Sequence, residues 1–168
     1  FKQKTAYEIV DCDWSSDVCS SDLSVVQIAT AEEMRNLGQT IGQKLAIGDV
    51  VALTGPLGAG KTELTKGIAA HFGIDEVTSP TFVIARSYKS NPPLIHMDAY
   101  RLLAGANPLY ELEDLDLSAE TSITVIEWGG ELVDYIASDF LEVIINRDSD
   151  IREVSFIGHG PRWQGFSL

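Results

Sequence analysis

The chain has 168 residues, the size of one domain, and its 45% apolar content is ordinary for a protein with one sizeable core. With 12 Lys and Arg against 25 Asp and Glu, a net charge of −13, it cannot use counterion release as its main route to nucleic acid. No direct DNA binding is therefore expected, and any RNA would have to be held by a partner.

No stretch approaches the roughly 20 apolar residues that span a bilayer, and the first residues lack the pattern of a signal peptide. The expected setting is cytoplasmic, with no membrane association. Residues 1–23 differ in character from the rest, running through Asp11-Cys12-Asp13-Trp14 and the near-repeat Ser15-Ser16-Asp17-Val18-Cys19-Ser20-Ser21-Asp22. They read as a disordered or non-native leader, and no function is assigned to them. Both cysteines, Cys12 and Cys19, fall there, so neither a zinc site nor a structural disulfide is expected.

From Ser24 onward strands and helices alternate, the pattern of an α/β layer fold, read here as one domain over residues 24–168. Val25, Val26 and Ile28 predict a short first strand. Thr30 followed by Glu33 is a capping-box signature, and Met34, Leu37, Ile41 and Leu45 recur at helical spacing, predicting a helix over residues 31–46 that Gly48 ends. Residues 49–54 form an apolar run into a glycine-rich loop, and residues 61–72 read as a helix stopped by Gly73. Further strands are expected at residues 82–88, 94–97 and 123–126, with short helices at 108–115 and 131–137. Residues 141–145 and 153–157, separated by a polar turn, predict an antiparallel hairpin, so the sheet should be mixed but mostly parallel and flanked by helices.

Gly55-Pro56-Leu57-Gly58-Ala59-Gly60-Lys61-Thr62 fits G-x-x-x-x-G-K-[ST] completely, and it lies between an apolar strand and a helix as its mechanism requires. Backbone N–H groups of Leu57, Gly58, Ala59 and Gly60 would cradle phosphate oxygens, helped by the partial positive charge of the helix N-terminus. Lys61, expected to face the surface, would reach the terminal phosphates, and the Thr62 hydroxyl would ligate Mg²⁺. A P-loop enzyme also needs a carboxylate at the end of a neighbouring strand. The runs Leu94-Ile95-His96-Met97-Asp98 and Ile123-Thr124-Val125-Ile126-Glu127 each present one, at the strand end where α/β proteins bind ligands.

Both Asp98 and Glu127 are candidates for the active site, against the bland reading that either caps a turn. The segment Val77-Thr78-Ser79-Pro80-Thr81-Phe82 occupies the position of a nucleotide-sensing loop, although a plain Ser-Pro turn would look the same. His96 reads as a packed or supporting residue rather than a catalytic base. Trp128 fits equally as a core anchor or as a lid on the nucleotide.

With the P-loop, Thr78-Ser79-Pro80-Thr81-Phe82, His96-Met97-Asp98-Ala99-Tyr100-Arg101-Leu102 and Ile126-Glu127-Trp128 in this order, the chain resembles the TsaE (YjeE) family over residues 24–163. The resemblance implies a small mixed-sheet P-loop ATPase of bacterial tRNA threonylcarbamoyladenosine biosynthesis. It also implies Mg²⁺ and ATP as cofactors, TsaB and TsaD as partners, and tRNA held only indirectly through the partner enzyme. Matched motif by motif, Lys61 becomes the phosphate lysine, Thr62 and Glu127 the magnesium pair, and Asp98 an essential carboxylate. Thr81 and Trp128 become parts of a nucleotide-responsive surface. Two departures stand out: Lys66 where members often carry Arg, and Gly129-Gly130-Glu131 after the tryptophan.

Competing readings are weaker. A GTPase would carry N-K-x-D, which Asn146-Arg147-Asp148-Ser149 fails at its last position, and a small P-loop kinase would carry an Arg-rich lid that the sequence lacks. A nucleotide-dependent interaction module with negligible turnover remains the alternative to an ATPase.

Overall fold

The structure, a computed structural model, describes residues 25–80, 84–100, 119–128 and 130–168. The leader, Thr81, the start of the strand expected from residue 82 and the helix expected at 108–115 lie outside those residues.

The first strand, β1 (Val26–Ile28), leads into helix α1 (Ala31–Gly42), where the capping box forms as read: Thr30 Oγ1 accepts from the Glu33 N–H while Glu33 accepts from the Thr30 N–H. Thr30→Ala should therefore lower stability by about 1 kcal/mol in a denaturant titration. The helix ends four residues earlier than its periodicity predicts. After Gly42 the chain tightens, with Lys44 N–H bonded to Ile41 O and Leu45 N–H to Gly42 O, so Leu45 packs on the core from a turn instead of a fourth helical ridge.

Strand β2 (Val50–Thr54) enters the glycine loop, and α2 (Lys61–His71) leaves it, closed by Gly73 at φ +74°. Then come β3 (Ala85–Tyr88), β4 (Leu94–Asp98), β5 (Ile123–Glu127), the single-turn helix α3 (Val133–Ile136), β6 (Phe140–Asn146) and β7 (Arg152–His159). They form one sheet in the order β1-β7-β6-β2-β5-β4-β3. Strands β6, β2, β5 and β4 pair in parallel at its centre, while β7 and β3 run against the others towards the edges. The central strands are mostly apolar instead of strictly alternating because both of their faces are covered, with His96, Thr124 and Glu142 as the polar interruptions.

On one face α1 and α2 pack Met34, Leu37, Ile41, Leu64 and Ile68 against Val51, Leu53, Val125 and Val143. The opposite face buries Val50, Ala52, Met97 and Ile126 beneath Leu132, Val133 and Phe140. The two helices approach closely at glycines: a Cβ on Gly38 would run into the Leu64 carbonyl, and one on Gly67 into the Arg35 carbonyl. Because these obstacles are backbone, Gly67→Val should destabilise by at least about 2 kcal/mol, read as a fall in melting temperature.

The closing segment is clamped rather than loose. Arg162 donates to both Asp49 carboxylate oxygens, at 3.1 and 2.8 Å, and to Lys44 O at 3.0 Å, and Trp163 is buried against Phe166. That fixes the turn leading into β2, and hence the strand that delivers the glycine loop.

Candidate functional site

The parallel register brings the candidate residues together. Leu53 of β2 pairs with Glu127 of β5, and Glu127 with Asp98 of β4, so both acids end neighbouring strands beside the loop that follows β2. Leu57, Gly58, Gly60, Lys61, Thr62, Asp98, Glu127 and Trp128 line one cavity of about 620 Å³, together with Glu63, Ser79 and Tyr100. Ala59 belongs to the loop but is turned into the core and does not line the cavity, and its N–H is bonded to Pro56 O at 3.2 Å. Thr81 lies outside the described residues.

Gly60 caps α2 with φ +112°, where a side chain would be strained and its Cβ would press on the Met34 methyl at 3.2 Å. Thr62 Oγ1 donates to Glu127 Oε1 at 3.1 Å, which sets a hydroxyl and a carboxylate side by side at the mouth of the loop. Glu127 and Asp98 are both nearly buried, at 5% and 9% exposure. Burial pushes the Asp98 carboxyl above its ordinary range, against the bond it accepts from Tyr100 N–H, and the Glu127 charge pushes the same way.

Lys61 is not the surface-facing residue the sequence predicts: it is 5% exposed. Its ammonium donates to Gly55 O at 2.8 Å and Pro56 O at 3.0 Å and lies 3.8 Å from the Trp128 ring centre, a cation–π contact. Burial lowers its pKa, opposed by the carboxylates of Glu127 and Asp98. The reason is geometric, since the loop curls over its own lysine and the indole closes the remaining side.

Trp128 thus covers the loop's lysine with its ring and is only half-buried. It is held in the left-handed region at φ +60°, rare for a bulky residue, and its N–H is bonded to Leu53 O at 3.1 Å. The Tyr100 ring stands 5.8 Å away on the same rim.

Two contributions, from Arg152 and Arg147, have no signal in the sequence, whereas His96 is buried in the supporting position the sequence predicts. Arg152 Nε donates to Ala59 O at 3.0 Å and Arg147 donates to Leu57 O at 3.4 Å, so the β6–β7 turn and the start of β7 brace the loop from outside. His96, fully buried, places Nε2 2.9 Å from Glu127 Oε1. Partners 90 or more residues apart leave no local signal; only the i, i+2 spacing of His96 and Asp98 hinted that both share one face of β4.

An apolar strand, a glycine loop and a helix, with acids on the adjoining parallel strand ends, place the chain in the P-loop class of α/β proteins. The family whose profile is described as "Threonylcarbamoyl adenosine biosynthesis protein TsaE" matches residues 28–154. The chain belongs to the TsaE family, which serves tRNA threonylcarbamoyladenosine biosynthesis. It is 45% identical over 139 residues to the tRNA threonylcarbamoyladenosine biosynthesis protein TsaE of Streptomyces coelicolor, covering 77% of this chain and 93% of that protein. It is 43% identical over 127 residues to the protein of the same name from Mycobacterium tuberculosis, covering 70% of this chain and 76% of the other. Among solved structures, the crystal structure of Bacillus subtilis YdiB superposes with a TM-score of 0.69 at 30% identity, covering 84% of this chain and 88% of that one.

Proposed function

We propose that the chain binds and hydrolyses Mg-ATP as an accessory protein of tRNA threonylcarbamoyladenosine biosynthesis, working in the cytoplasm with TsaB and TsaD to sustain the modification cycle. The observation that carries this reading is the Thr62–Glu127 contact at 3.1 Å, beside Lys61 and the glycine loop. Among the described residues no cluster of three or more His, Cys, Asp or Glu side chains forms a metal cage. One hydroxyl and one carboxylate beside a phosphate loop fit Mg²⁺, which takes few protein ligands and completes its shell with phosphates and water. When bound, Mg²⁺ would neutralise charge on the phosphates.

In this reading the loop N–H groups orient the phosphates and Lys61 meets their charge, leaving its carbonyl partners to do so. Asp98, poised on the strand beyond Glu127, holds the attacking water. The role of Trp128 follows from its contact with Lys61: nucleotide that draws the lysine away must change the indole environment. Saturating ATP should shift tryptophan fluorescence, and Trp128→Phe should remove that shift while Trp14 and Trp163 remain as internal references.

The tRNA would be held by a partner, in keeping with the net charge of −13. A second reading, a nucleotide-dependent interaction module with negligible turnover, is favoured by the exposed rim of the cavity, where Leu57 is 86% and Tyr100 62% exposed. Reconstituted tRNA modification with TsaB and TsaD separates the two. The ATPase reading expects repeated turnover only when this protein and hydrolysable ATP are both present. Equal support from a non-hydrolysable analogue would leave the interaction module standing.

A further inference from the structure

We propose that His96 is a positioning residue for Glu127, fixing that carboxylate in the orientation its magnesium role requires; the proposal rests on the Mg-ATP reading above. His96 lies on β4 opposite Val125, one step back from the Asp98–Glu127 pair, and its ring reaches diagonally to Glu127 Oε1 at 2.9 Å. Thr62 Oγ1 meets the same oxygen at 3.1 Å. Two donors from two different elements, β4 and α2, therefore converge on one carboxylate oxygen and leave the other for a cation.

The chemistry argues against a mere packing role. A carboxylate oxygen only accepts, so the imidazole donates from Nε2. Its other nitrogen, Nδ1, is buried without a hydrogen-bond partner. A fully buried side chain with one nitrogen unmet is a poor core filler, since leucine would occupy the space with no unmet group. What the imidazole adds, and leucine would not, is the bond to Glu127. That bond matters because the Lys61 ammonium is electrostatically coupled to Glu127. A carboxylate released from His96 would be free to turn towards the lysine, drawing on the charge that the phosphates need. Ligating groups are commonly oriented by such supporting bonds, whose loss weakens metal binding about 10- to 100-fold.

The test is ATP binding titrated against Mg²⁺ in full-length protein, with thermal melts to confirm folding. His96→Leu should raise the Mg²⁺ concentration at half-effect about 10-fold or more, while ATP affinity in EDTA stays within about twofold. His96→Gln, whose amide N–H can still reach the carboxylate, should recover most of the loss. In a Glu127→Gln background, adding His96→Leu should change little, because the group it positions is already altered. A folded His96→Leu protein with the wild-type Mg²⁺ requirement would overturn the proposal, as would equal impairment by Leu and Gln or a full effect persisting in the Glu127→Gln background. If the leucine variant does not fold, His96→Asn, polar but too short to reach Glu127, carries the same expectation. Wild-type ATP binding that ignores Mg²⁺ would overturn the magnesium reading itself, and this proposal with it.

Discussion

Lys61→Ala is expected to lower ATP turnover by at least about 100-fold and to weaken nucleotide binding, in a protein that still folds. The lysine is buried, but by the loop and Trp128 rather than by the hydrophobic core. Its bonds go to Gly55 O and Pro56 O, on a loop whose Pro56 is open to solvent, so water can take its place there at small cost. Among the described residues of the cavity lining, Lys61 alone carries a positive charge, so without it the phosphates would face Glu127 and Asp98 with no side-chain cation from those residues. A nucleotide titration paired with a melting curve checks both halves. Unchanged affinity in a folded variant would remove the phosphate role from Lys61.

The second large effect separates the two acids. Glu127 touches Thr62 and is the carboxylate placed to anchor a metal, so Glu127→Ala should lose Mg²⁺-dependent affinity and turnover together. Asp98 stands one strand further from the loop, and its carboxylate accepts from Tyr100 N–H. Asp98→Asn should therefore leave Mg-nucleotide affinity within about threefold and reduce turnover by about 100-fold or more, the signature of a group acting mainly on the reaction. Titrations with and without Mg²⁺, combined with ATPase assays, distinguish the cases. The reverse pattern would exchange the two roles, and wild-type turnover in either folded variant would take that acid out of the site.

Much of the site was legible because local patterns carry it. The loop motif needs no partner to be recognised, and an apolar run ending in an acid already states that the acid stands at a strand terminus. That both acids face one loop depends on the order β2-β5-β4, which no local pattern encodes; here the family resemblance supplied what periodicity could not. The misses have physical causes. Helix α1 is shorter than its periodicity predicts because Leu45 keeps the helical spacing while packing from a turn, so burial and periodicity agree and the backbone does not. Lys61 was expected at the surface because charge predicts exposure, whereas a curled loop can bury an ammonium on its own carbonyls. The partners of Arg152 and His96 are not legible locally because their contacts reach across the sheet.

The most direct measurement of the central claim is equilibrium titration of the full-length protein with ATP, with and without Mg²⁺. The account predicts one saturable site, tightened by Mg²⁺ and lost in Lys61→Ala. No saturable ATP binding in a folded wild-type protein, or binding indifferent to both Mg²⁺ and Lys61, would contradict it.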